Sequence, residues 1–170
     1  MGFFDMLTGT TRPADGVAPG SAGEVRIALL GLNQPDVPYV VRDGAAYGAD
    51  LMAEWRMAEP AWQTLFVESQ LTRAVRIRMR VVRETHEVRV IEEQWEVTRV
   101  GNPPRLAMSS KYTRGPDRTV SRRWTVGRGE NGRLEATEIF RFDARDLRNP
   151  LRDAVLTLGW TWRGVILGKL

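Results

Sequence analysis

Residues 72–83, TRAVRIRMRVVR, constrain the fold more than any other stretch of the chain. Val75, Ile77, Met79 and Val81 take alternate positions, and Arg76, Arg78 and Arg80 fill those between. A period of two puts the apolar groups on one side of an extended chain and the guanidinium groups on the other. That is the pattern of a strand with one packed and one wet face. RETH then reads as a turn, and EVRVIEEQWEVTRV as a long strand returning antiparallel. Its alternation slips, because Val88 and Val90 are even-numbered while Trp95 and Val97 are odd. A β-bulge near Ile91-Glu92 would restore the face, and bulges bend sheets.

Other short elements flank this pair. SAGEVRIALLGLN carries a capping box, Ser21 with Glu24, and a stripe of Val25, Ala28, Leu29 and Leu32, which predicts a helix over 22–32. VPYVV and ADLMAEWRM read as strands. EPAWQTLFVES is a second short helix, with Pro60 suited to its first turn. RLAMSSKY, RTVSRRWTV and RLEATEIFRF, separated by Gly- and Pro-containing turns, extend an antiparallel meander. Residues 8–20, TGTTRPADGVAPG, read as a linker behind a short apolar tag, Phe3, Phe4, Met6 and Leu7. The expected organisation is a flexible tag and linker over 1–20 and a single domain over 21–170.

The chain ends NPLRDAVLTLGWTWRGVILGKL. Read as one helix opened by Asn149-Pro150, this segment is apolar nearly all round. Leu151, Val155, Leu158, Trp162 and Val165 form one stripe, and Ala154, Leu156, Trp160 and Leu167 fill much of the rest. Such a helix is either buried on all sides or sits in lipid. Its apolar run is broken by Arg163 and falls short of the ~20 residues that a span requires. Burial is therefore expected, with the sheet wrapped around it. The predicted fold class is α+β: a strongly curved antiparallel sheet or barrel of about seven strands around a C-terminal hydrophobic helix, with two short extra helices.

Two known architectures resemble this layout. The helix-grip type clasps a C-terminal helix in a curved sheet. The tubby-like type, with its scramblase and LURP-one relatives, closes a barrel around a terminal hydrophobic helix, and the element order here is the more similar to that one. MGFFD, ADLMAEWRM and GWTWRGVILGKL also resemble a family of small uncharacterised actinobacterial proteins, a likeness that implies a source and no chemistry.

Composition removes several function classes. Cysteine is absent, which excludes disulfides, thiolate catalysis and thiolate-bound metals. His86 is the only histidine, and a tight turn rarely positions a general base. Glu92, Glu93 and Glu96 could hold a hard cation or work as acid and base. Ion pairing with Arg76, Arg78 or Arg80 across the sheet is the simpler expectation, with Glu92 and Glu96 on the arginine face. No phosphate loop, nucleophile elbow or zinc-protease motif is present. No catalytic, cofactor-binding or metal-ligating residue is therefore assigned. The N-terminus lacks a secretory leader, so a cytoplasmic location is expected.

Charge is unevenly placed. Residues 1–70 hold four basic and nine acidic residues, a net of −5, whereas residues 71–170 hold 21 and 12, a net of +9. On a sheet such a basic half is more often a solvated outer face, and the partner it would attract is an anionic membrane surface or another protein. Nucleic acid is disfavoured, since only Tyr112 and Trp124 accompany the arginines of residues 105–133. Arg76, Arg78, Arg80, Arg122 and Arg123, together with the Phe3-Phe4-Met6-Leu7 tag, are the expected contacts of a non-enzymatic, peripheral binding module. The alternative is a carrier or enzyme for a small hydrophobic ligand or lipid, its cavity between sheet and C-terminal helix lined by Trp55, Trp95, Trp124 and Trp160.

Overall fold

The sheet grows outward from the long strand after RETH. A computed structural model describes residues 2–116, 120–128 and 134–170, with side chains described outside 110–112, 120–128 and 134–141. Its first half runs α1 (Phe3–Thr8), α2 (Ala22–Leu30), β1 (Tyr39–Asp43), β2 (Leu51–Trp55), α3 (Pro60–Glu68) and β3 (Arg73–Val82). There follow β4 (Glu87–Val100), β5 (Arg105–Arg114), β6 (Val120–Arg128), β7 (Leu134–Asp143), α4 (Ala144–Thr157) and β8 (Thr161–Gly164). Strands β1 to β5 form an antiparallel meander, β8 joins β4 in parallel, and β6 and β7 pair as a hairpin of their own. The fold is α+β, a curled antiparallel half-barrel with four helices.

One face of the sheet holds the core. Leu51, Ala53 and Trp55 of β2, Val75, Ile77 and Met79 of β3, and Val88 and Val90 of β4 pack there against Val25 and Leu29 of α2. Leu147, Leu151 and Val155 of α4, each four residues apart, complete the cluster as one buried helical stripe. The capping box of α2 forms as expected, with the Ser21 hydroxyl accepting from the Glu24 N–H at 3.2 Å. The outer edge of β1 is closed by a side chain. The Asn33 amide donates to the Val41 carbonyl and accepts from its N–H, both at 2.7 Å, so the two groups cannot recruit another strand.

The C-terminal segment differs from the expected single helix. Helix α4 begins at Ala144, because buried Asp143 caps it and accepts the Arg145 N–H at 2.9 Å. Pro150 thus lies inside the helix instead of opening it. The helix ends at Thr157, Gly159 turns the chain with φ 71°, and Thr161–Gly164 becomes β8. The all-round apolar wheel arose from reading two elements as one. A helix burying Leu151 and Val155 is followed by a strand burying Trp162, each with an ordinary single apolar face.

The expected bulge at Ile91-Glu92 is absent. Pairing of β3 with β4 runs unbroken from Arg73↔Glu96 to Val82↔Glu87, and the register shifts instead on the β5 side, between Trp95 and Val97. Continuous alternation therefore carries Glu92 onto the core face beside Val88 and Val90, away from the arginine face on which it was expected. There α4 supplies its partner. Arg148 donates to both Glu92 carboxylate oxygens, from Nε at 2.8 Å and Nη2 at 2.7 Å. A two-point bond of this geometry offsets the desolvation of both charges and ties the helix to the central strand. Glu92→Ala or Arg148→Ala is expected to cost about 3 kcal/mol in denaturant unfolding, because each leaves a buried charge, whereas Glu92→Met with Arg148→Met together should cost clearly less.

Candidate functional site

Residues 8–20, expected as a flexible linker, lie as a strap along the C-terminal segment. Thr11 and Trp162 exchange backbone hydrogen bonds at 2.8 and 2.9 Å, and the Gly20 N–H donates to the Leu158 carbonyl at 2.9 Å. The Trp160 indole N–H donates to the Gly20 carbonyl at 2.8 Å, and the Gly164 N–H to the Thr10 hydroxyl at 3.1 Å. Two glycines make room for this approach. A Cβ on Gly159 would stand 2.7 Å from the Ala18 carbonyl oxygen, and one on Gly164 would collide with the Thr8 carbonyl. These contacts hold a Pro- and Gly-rich segment in place without a regular strand.

The strap presents the tag as a short helix. α1 ends at Gly9 in the left-handed conformation, and Asp5 pairs with Arg12 of the strap at 2.6 Å. That guanidinium, with the Gly2 N–H, holds the Asp5 carboxyl below the usual carboxylate range. The apolar side chains of α1 remain outside: Phe3 is 68% exposed, Phe4 78%, Met6 65% and Leu7 48%. Leu167 of the C-terminal tail is 87% exposed. Met6 and Ile166 face one cleft of about 220 Å³, so helix and tail share one end of the molecule. Glu92, Arg148, Arg152 and Trp162 also line that cleft.

Opposite the core, the sheet carries the arginines in sets. Arg42 and Arg76 both pair with Glu54, the latter at 2.9 Å. Arg78 and Arg114 pair with Glu93 at 2.7 and 3.9 Å. Arg89 and Arg163 pair with Glu87 at 3.3 and 2.9 Å. Each set has two guanidinium groups to one carboxylate and keeps a net positive charge. The guanidinium of Arg76 is also stacked between the Tyr47 and Trp95 rings, at 4.5 and 4.8 Å from their centroids. Arg78 and Arg80 donate to the Tyr47 and Gly48 carbonyls at 2.8 and 2.9 Å. Arg76, Arg78 and Arg80 are thus half-buried and held by carboxylates, carbonyls and rings of the sheet's own outer face. The side chains of Arg122 and Arg123 lie outside those described.

Of the four tryptophans expected around a cavity, Trp55 and Trp95 border one pocket of about 90 Å³, which Trp160 does not line. Trp55 packs in the core against Phe66 and Phe142, Trp95 lies on the opposite face over Arg76, and Trp160 meets His86 edge-on at 5.3 Å. The Trp124 side chain lies outside those described. His86 is a turn residue with φ 47°, and its carbonyl accepts the Thr161 N–H at 2.9 Å where β8 begins. Among the described residues, no group of three carboxylate or imidazole side chains could hold a metal ion, and no helix is long and apolar enough to cross a membrane.

The exposed pole brings Phe3, Phe4, Met6 and Leu7 of α1 together with Arg12 of the strap and, across the Thr11–Trp162 bridge, with Arg163 of β8 and the tail that carries Leu167 and Lys169. Sequence reading found the four residues of α1 and missed the rest. Leu167 and Lys169 carry no motif, and Arg12 was hidden in an apparent linker. Comparison with protein-family models, curated proteins and solved structures finds no match.

Glu87 couples this pole to the sheet. Burial raises its pKa, but hydrogen bonds from Arg163, Thr85 and Arg89 outweigh that and hold it below the ordinary value. A depressed carboxylate stabilises the fold above its unfolded pKa of about 4.3 and loses that contribution as the pH falls through this value toward the lower folded one. Urea unfolding of wild type and Glu87→Gln should show a stability gap at neutral pH that closes on acidification. A gap that stays constant would assign Glu87 no such role.

Proposed function

We propose that the protein is a peripheral binding module that docks on a membrane surface by inserting the side chains of α1. One observation carries this reading: four large apolar side chains of a six-residue helix stand in solvent, although the strap beneath them is bonded to the C-terminal segment at Thr10, Thr11 and Gly20. A contiguous exposed apolar patch signifies an interaction site. Phenylalanine, leucine and methionine at the tip of a preorganised element enter the boundary between headgroups and acyl chains at little conformational cost. A cytoplasmic, peripheral location accords with this reading. The rival reading, a ligand carried between sheet and helix, draws little support from the pocket that Trp55 and Trp95 share, because it measures only about 90 Å³ and neither α4 nor Trp160 lines it.

Truncation of residues 1–20 is a poor test, because it also uncovers Trp160 and Trp162 and strips the outer edge of β8 of its bridge to Thr11. Substitution within α1 leaves the strap intact. Phe3→Ser with Phe4→Ser should lower co-sedimentation with phospholipid vesicles by roughly tenfold or more, since each inserted aromatic side chain contributes about 1.5–3 kcal/mol when fully buried. Circular dichroism should be unchanged. Equal sedimentation of variant and wild type would remove α1 as the inserting element.

A further inference from the structure

We propose that the basic side chains beside the apolar pole recognise the phosphate of anionic lipid headgroups, a specificity that rests on the insertion of α1. The argument concerns which charges an approaching surface meets first. Arg12, paired with Asp5 of α1, has a side chain 61% exposed, against 19% for Asp5. Arg163, paired with Glu87 at the far side of β8, is 53% exposed, against 13% for Glu87. In both pairs the guanidinium covers its carboxylate. Lys169, exposed two residues beyond Leu167, adds a third cation, and Arg152 lines the same cleft as Met6.

Acidic groups near this pole are not all covered: Asp153 of α4 accepts from Arg152 at 2.8 Å, yet its side chain is 61% exposed against 30% for Arg152. Glu87 answers to two guanidinium groups, Arg89 and Arg163, so the sheet edge nearest α1 keeps an excess positive charge. Apolar residues that enter the acyl boundary and cations that stay at headgroup level are the two signals that together give stable peripheral anchoring. Here they come from opposite ends of the chain. α1 and Arg12 are N-terminal, Arg163, Leu167 and Lys169 are C-terminal, and the pairing of Thr11 with Trp162 brings them side by side.

The test is co-sedimentation of the full chain with vesicles of phosphatidylcholine alone and of phosphatidylcholine mixed with phosphatidylglycerol. Wild type should partition roughly tenfold or more in favour of the anionic vesicles, and added salt should erase that preference. Arg12→Gln, Arg163→Gln and Lys169→Gln should each weaken anionic binding about fivefold, and the triple variant on the order of a hundredfold, with little change on phosphatidylcholine. The comparison of vesicle types with wild type needs no substitution, so it holds even should a variant fold poorly. Equal, salt-insensitive partition onto both vesicles would overturn headgroup recognition while leaving α1 insertion in place. Binding to neither would overturn insertion itself. Salt-sensitive capture by duplex DNA without vesicle binding would overturn both.

Discussion

Everything in this molecule is referred to β4, and to the way one of its edges is divided. Along one side it pairs with β3 over ten consecutive positions. Along the other, Glu87–Val90 receive β8 in parallel and Glu93–Val100 receive β5 antiparallel. Two strands from distant parts of the chain thus share one line of backbone hydrogen-bonding groups. Such groups are costly to leave unpaired inside a protein, so whatever occupies the first four positions is held firmly. β8 occupies them, the strap lies on β8, and α1 lies at the end of the strap.

Side-chain electrostatics reinforces the same strand on both faces. On the core side, Glu92 would be untenable without Arg148, and the pair fixes α4 over the sheet. On the other side, Glu87 and Glu93 each draw arginines from neighbouring strands. Arginine suits this use because its planar fork bonds a carboxylate while its face stacks on a ring, as Arg76 does between Tyr47 and Trp95. Pairing does not neutralise the face, since guanidinium groups outnumber carboxylates in each set.

This arrangement places a structural burden on residues that look dispensable. The first twenty residues contribute little to the core cluster, yet they close the outer edge of β8 and cover Trp160 and Trp162. A small helix with four exposed apolar side chains gains from that rigidity, because its orientation is set before any partner arrives. Membrane docking by α1 and headgroup recognition by the surrounding cations would then be properties of one preformed pole, assembled from the two ends of the chain.

The chain by itself determined those features that depend on near neighbours. The alternation of TRAVRIRMRVVR specified β3 and its two faces, Ser21 with Glu24 specified the start of α2, and Phe3, Phe4, Met6 and Leu7 stood out as an apolar tag. Tertiary structure decided the rest. GWTWRG became a strand because β4 had an open edge to fill, and TGTTRPADGVAPG became a strap because β8 then had one too. Glu92 turned inward because Arg148, 56 positions away, was there to receive it. No local period encodes a vacant hydrogen-bonding edge or a distant counter-charge, since both exist only once the sheet has formed.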